Sequence, residues 1–203
     1  MKIGVLGTGM VGKTIATKLR ELGHEVEVGS RSAGDDAVTF ADAAAHGELV
    51  FNCTAGTASL EALDAAGAEN LAGKVLVDVA NPLDFSKGMP PTLSVCNDDS
   101  LGEQIQRAFP ETKVVKALNT VNASVMVDPG SVPGEHDLFM CGDDDEAKAQ
   151  VSSAILQSFG WPAGQIHDLG DISGARTMEM YLPLWVRLMG VVGSPTFNIK
   201  VVH

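Results

Sequence analysis

The sequence predicts an α/β fold: a doubly wound, Rossmann-type, mainly parallel sheet with a short C-terminal helical tail. Three observations carry that expectation. Strand-like apolar runs alternate with helix-periodic segments for most of the 203 residues. A Gly-x-Gly-x-x-Gly run from Gly7 to Gly12 joins the first strand to the first helix. After Asp171 the alternation gives way to a stretch of purely helical apolar spacing.

The elements follow in order. Lys2 to Leu6 is an apolar strand, and Met10 to Leu22 a helix with Val11, Ile15, Lys18, Leu19 and Leu22 at helical spacing and Gly23 as its stop. Glu25 to Val28 is the second strand, followed by a brief strand at Val38–Thr39 and an alanine-rich helix from Asp42 to His46. Glu48 to Cys53 and Lys74 to Val79 read as buried strands on either side of a helix from Ser59 to Ala66. The second half offers a helix from Leu101 to Phe109, strands at Lys113–Ala117 and Asp137–Cys141, a long helix from Glu146 to Phe159 and a short strand at Gln165–Leu169. Loops with Pro and Gly, such as Gly88 to Pro91 and Asp128 to Gly130, separate them.

The domain division expected is residues 1–170 for the nucleotide-type unit and 171–203 for the tail. In the tail, Met178, Tyr181, Leu182, Trp185, Leu188, Met189 and Val192 recur at helical spacing, and Met180, Leu184 and Val191 form a second apolar face. Pro183 should kink the helix, and Arg176, Glu179 and Arg187 share a polar stripe. Such a helix either closes the sheet or walls a flat-ligand pocket or dimer interface. A homodimer is the expected assembly.

Composition narrows the function classes. A formal net charge of −12 repels nucleic acid and anionic membrane, so neither is an expected partner. The three cysteines, Cys53, Cys96 and Cys141, lie far apart in no metal-binding or disulfide pattern, and the five histidines have no ligand spacing; no metal site is expected. No apolar run reaches membrane-spanning length and no leader precedes the first strand, so a cytoplasmic protein is expected.

In a doubly wound sheet the ligand crevice lies beyond the carboxyl ends of the strands. The first such end is Gly7, Thr8, Gly9, Met10, Val11 and Gly12, which suits a pyrophosphate: Gly7 for the tight turn, Gly9 for close approach, Gly12 for helix packing. At the second, an acidic residue would select NAD; here Ser30, Arg31 and Ser32 stand instead, and a guanidinium with hydroxyls suits the 2′-phosphate of NADP. The competing reading of Arg31 is a solvated arginine on a surface turn.

The later ends supply Cys53, Thr54 and Ala55, then Ala80, Asn81 and Pro82, then Ala117 and Asn119. Small residues there let ribose and nicotinamide lie against the backbone, and Pro82 restricts Asn81 to extended conformations. Each asparagine is either an amide offered to a ring or a satisfied turn residue. No catalytic acid or base is readable. Tyr181 has no partner lysine four residues on, His167 reads as structural, and Lys116 lies within a strand, where a buried stem or surface charge is expected rather than a base. Hydride transfer between two stacked heterocycles needs no such group, because orientation supplies most of the acceleration.

The chain resembles the NADPH-dependent oxidoreductases that use the 8-hydroxy-5-deazaflavin coenzyme F420, and the related NADPH–flavin domain of the transmembrane metalloreductases. The residues that carry the resemblance are Met1 to Gly9, Gly29-Ser30-Arg31, Val115 to Thr120, and Asp168 to Asp171 continuing to Ala175-Arg176. It implies that Thr8, Ser30 and Arg31 hold NADP, with Ala117 near the nicotinamide and a deazaflavin or flavin stacked over it as second substrate. Two departures stand out. Ala33, Gly34, Asp35 and Asp36 replace a further basic residue common after the Ser-Arg pair, and the C-terminal region is short, so that a second subunit would complete the acceptor pocket. The function expected is hydride transfer between NADPH and such an acceptor; the alternatives are an imine or hydroxyacid reductase, or an NADPH-binding sensor without turnover.

Overall fold

The computed structural model describes residues 1–34 and 36–202. Strand β1 (Lys2–Leu6) leads into helix α1 (Met10–Glu21), β2 (Glu25–Ser30), β3 (Val38–Thr39), α2 (Phe40–His46) and β4 (Leu49–Asn52). A helical turn at Gly56–Ala58 precedes α3 (Ser59–Ala66), α4 (Ala68–Leu71) and β5 (Val75–Asp78), and a small hairpin follows from β6 (Leu83–Asp84) and β7 (Thr92–Leu93). Then come α5 (Leu101–Ala108), β8 (Lys113–Ala117), α6 (Ala123–Val127), β9 (Leu138–Gly142), α7 (Asp145–Gln150), β10 (Ile166–Asp168), α8 (Ala175–Met180) and α9 (Leu182–Val192).

Among the described residues, eight strands form one sheet in the order β10-β9-β8-β5-β4-β1-β2-β3. From β3 across to β8 every pairing is parallel. The chain winds outward from β1 to β3 and then restarts at β4 on the other side of β1, so the switch point lies between β1 and β4. Strand alternation makes two cores. Val5, Phe51, Val77 and Val115 face α1 and α6 with Ile15, Leu19, Val125 and Trp161. Their neighbours Leu6, Val50, Leu76 and Val114 face Phe40, Leu63, Ile105 and Met178 on the opposite side. Ile15 and Leu19 of α1 are fully buried, each worth about 1.5–3 kcal/mol.

The expected order of strands and helices is present, with four differences. First, β9 runs antiparallel to β8, with Val115 opposite Gly142. Second, the long helix expected over 146–159 ends at Gln150 and continues as a wider π-helical segment, Val151–Leu156. Third, the tail helix is interrupted at Tyr181, two residues before Pro183, into α8 and α9; Tyr181 keeps helical dihedrals between them, and Pro183 sits in the first turn of α9. Fourth, the described residues leave the second apolar face uncovered, with Leu184 55% and Val191 85% exposed. Of the polar stripe, Glu179 is buried.

Candidate functional site

The site is built on the carboxyl ends of the central strands. Gly7 adopts a φ of 120°, which strains any residue with a side chain, and a Cβ there would meet the Cys53 carbonyl oxygen at 2.7 Å. Gly12 brings α1 against the turn, where a Cβ would lie 2.0 Å from the Gly7 oxygen. Gly9 differs: a Cβ would meet nothing within 4 Å, so the space beside it is open. Gly9 is also the N-cap of α1, with no side-chain cap and no acidic residue in the first turn. The positive end of a 12-residue helix thus faces a cleft with its first N–H groups free of side-chain acceptors.

That cleft, about 500 Å³, is lined by Gly7, Thr8, Gly9, Ser30, Arg31, Ser32, Cys53, Thr54 and Ala55, with Phe40, Ala58, Glu61, Ala62 and Ala65 behind them. The Ser30 hydroxyl donates to the Ser32 carbonyl at 2.5 Å, which closes the turn around the exposed Arg31. In the stretch Ala33 to Asp36, Asp35 lies outside the described residues.

A second cleft of about 570 Å³ adjoins the first and shares Cys53, Thr54 and Ala55 with it. Met10, Val11, Ala80, Asn81 and Asn119 line it, as do Phe85, Thr120, Val121, Asn122, Leu182 and Trp185. Asn81 and Asn119 form a reciprocal pair: Asn81 Nδ2 donates to the Asn119 carbonyl at 2.8 Å, and Asn119 Nδ2 donates to Asn81 Oδ1 at 2.9 Å. Leu118, buried beside them, holds a left-handed φ of 65°, a conformation that costs of order 1–3 kcal/mol and turns the chain into this pair. Asn119 Oδ1 and Thr120 Oγ1 are buried and lack a hydrogen-bond partner. Such groups are rare in folded proteins, and at a cleft wall they fit a ligand's polar edge.

Thr54 is braced from below. Asn52 Oδ1 accepts from the Thr54 hydroxyl at 2.7 Å, while Asn52 Nδ2 donates to Asp78 Oδ1 at 2.8 Å. Lys116 is entirely buried and paired to Asp78 and Glu179, each at 2.8 Å. Burial alone would lower the Lys116 pKa, but the two carboxylates outweigh it and raise it, so the ammonium persists. Burial, with Asp78 nearby, pushes the pKa of the half-buried Cys53 thiol upward, which disfavours the thiolate at the cleft wall. Among the described residues, no cluster of three or more His, Cys, Asp or Glu could hold a metal.

Of the residues expected from the sequence, Gly7 to Val11, Ser30, Arg31, Cys53 to Ala55, Ala80, Asn81 and Asn119 line one cleft or both. Gly12, Pro82 and Ala117 line neither; Ala117 is fully buried within β8. Sequence reasoning missed Phe85 and Glu61 as lining residues. Trp185 was expected on a tail helix that either closes the sheet or walls a flat-ligand pocket or dimer interface, and it lines the second cleft.

This fold defines a Rossmann-type scaffold with two adjoining clefts at the carboxyl ends of its central strands. A family model described as NADP oxidoreductase coenzyme F420-dependent matches residues 2–82. A solved structure from Arthrobacter sp. FB24, provisionally named an F420-dependent NADP-reductase, is 54% identical, with a TM-score of 0.94 and full coverage of both chains. Metalloreductase STEAP3 of Rattus norvegicus is 31% identical over 91% of this chain, and the F420-dependent NADP reductase of Methanocaldococcus jannaschii 35% identical over 59% of it. The chain spans 38% and 52% of the lengths of those two curated relatives. The chain belongs to the coenzyme F420-dependent NADP oxidoreductase family. No helix among the described residues is long and apolar enough to cross a membrane.

Proposed function

We propose that this chain transfers a hydride between NADPH and a deazaflavin (coenzyme F420) or flavin-like acceptor. The observation that carries the proposal is the pair of clefts meeting at Cys53, Thr54 and Ala55, one at an uncapped helix N-terminus and one largely apolar. Gly7, Thr8, Gly9, Met10 and Val11 hold the pyrophosphate, with Gly12 setting the close packing of α1 behind it. Ser30 and Arg31 bind the 2′-phosphate. Thr54, Ala55, Ala80 and Asn81 frame the nicotinamide, with Pro82 and Ala117 supporting the backbone behind them. The orphaned Asn119 Oδ1 and Thr120 Oγ1 offer hydrogen bonds to a polar ring edge.

NADPH, when bound, supplies the hydride; the protein binds, orients and excludes water. Residues 1–170 carry the nucleotide half in this reading, and residues 171–203 complete the acceptor cleft, supported by Leu182 and Trp185 in its wall. A homodimer belongs to the same reading, favoured by the exposed Leu184 and Val191. A cytoplasmic location agrees with the free Cys53, Cys96 and Cys141. The test is an acceptor panel with NADPH followed at the nicotinamide absorbance. Oxidation with F420 or a flavin supports the proposal; tight binding without turnover on any acceptor points to a sensor.

A further inference from the structure

We infer that Lys116 is a positioning residue, tying the loop that floors the acceptor cleft to the C-terminal helices that form its opposite wall. The inference rests on the proposed assignment of that cleft to the reacting rings. Lys116 of β8 stands in register with Asp78 of β5, and both side chains are wholly buried. Its ammonium has three protons to place and finds three oxygens: Asp78 Oδ2 at 2.8 Å, Glu179 Oε1 at 2.8 Å and the Ala80 carbonyl at 2.5 Å.

Each partner leads somewhere useful. The Ala80 carbonyl immediately precedes Asn81, whose side chain is locked to Asn119 across the cleft floor. Asp78 Oδ1 accepts from the Ala80 N–H at 3.2 Å, so both polar groups of that peptide segment are gripped by the pair. Glu179 lies on α8, three residues before Leu182 and six before Trp185, which line the far wall. Its carboxylate also accepts from the Leu101 and Gly102 N–H groups at 2.9 and 3.1 Å, capping α5. The second negative charge of the cluster is therefore balanced by a helix N-terminus.

Stability alone explains this arrangement poorly. Buried ionic clusters can often be replaced by apolar side chains of similar volume at no net loss. What an apolar replacement cannot do is hold the Ala80 carbonyl and Glu179 at one point. Hydride transfer depends on near-contact ring geometry, so a small shift of either wall lowers the rate sharply.

The test compares wild type with the uncharged variant Lys116→Met/Asp78→Asn/Glu179→Gln and with Glu179→Gln alone. NADPH affinity is measured by titration, bound-nicotinamide fluorescence by lifetime, and turnover with F420 in steady state. The expected result for the triple variant is an NADPH affinity within about threefold of wild type. Its kcat falls about 10- to 100-fold, and the bound-nicotinamide lifetime changes. Glu179→Gln shifts the same two readouts in the same direction. A folded triple variant with wild-type kcat and lifetime would overturn the inference. If that variant fails to fold, unchanged kcat and lifetime in Glu179→Gln overturn it instead. Wild-type NADPH binding without F420 turnover would count against the proposed acceptor, while the lifetime comparison would still decide the role of Lys116. Absence of wild-type NADPH binding would overturn both.

Discussion

Replacing Arg31 with alanine separates the two nicotinamide coenzymes. Arg31 is exposed and lines the first cleft beside Ser30 and Ser32, at the end of β2. A charge-assisted hydrogen bond to a phosphate contributes about 1.5–3 kcal/mol, and exposure argues for the lower part of that range. At about 2 kcal/mol the NADPH dissociation constant rises about 30-fold in Arg31→Ala. NADH, which has no 2′-phosphate, should bind within about twofold of wild type. The salt dependence of NADPH binding should also flatten, because one screened contact is gone. Fluorescence titration of both coenzymes at two salt concentrations reads all of this. Equal weakening of NADPH and NADH would refute the assignment of Arg31 to the phosphate, and so would unchanged NADPH affinity.

The glycines of the first turn should part company. Gly9→Ala fills open space, so thermal stability is retained while NADPH affinity falls about tenfold or more; Gly12→Ala drives a Cβ against the Gly7 oxygen and loses about 1–3 kcal/mol of stability in chemical denaturation. Equal destabilisation by both would contradict this. Trp185→Ala should raise the acceptor KM about tenfold and NADPH Kd by no more than about threefold, because Trp185 lies in the second cleft and away from the first, which is proposed to take the 2′-phosphate. Steady-state kinetics with each substrate varied checks it. Asp99, paired with Arg107 at 2.9 Å, has its carboxyl held down from 3.8 to about 2, mainly by the Arg107 guanidinium. A depressed pKa gives stability that is complete above the unfolded value and is lost as pH falls through the folded one. Asp99→Asn should therefore be about 0.5–1 kcal/mol less stable than wild type near neutrality, the gap closing as the pH falls from about 4 to about 2. A gap that persists at the acid end would show that the ion pair is not its source.

What the sequence reveals well is what neighbouring residues decide among themselves. The Gly7–Gly12 turn, the periodicity of α1 and the apolar runs of β1, β4 and β5 are local patterns, and they locate the switch-point crevice. What it conceals depends on distant partners. Lys116 within a strand gives no sign of Asp78, 38 positions earlier, or of Glu179, which arrives from the tail. The antiparallel entry of β9 is a pairing of Val115 with Gly142 across a long connection, which no local pattern announces. Strands as short as β6 and β7, two residues each, show no alternation to read. The left-handed φ of Leu118 is set by the packing around it, since no glycine or asparagine stands there to announce it. For the same reason the tail helix with Trp185 reads equally as sheet cover, pocket wall or dimer face until the fold brings Trp185 to the cleft.

The most direct measurement of the central claim is anaerobic mixing of the wild-type protein with NADPH and oxidised F420, followed at both chromophores. The account predicts that nicotinamide oxidation and deazaflavin reduction proceed together, one for one, with NADH far less effective. NADPH that binds but is not oxidised by F420 or any flavin would contradict it.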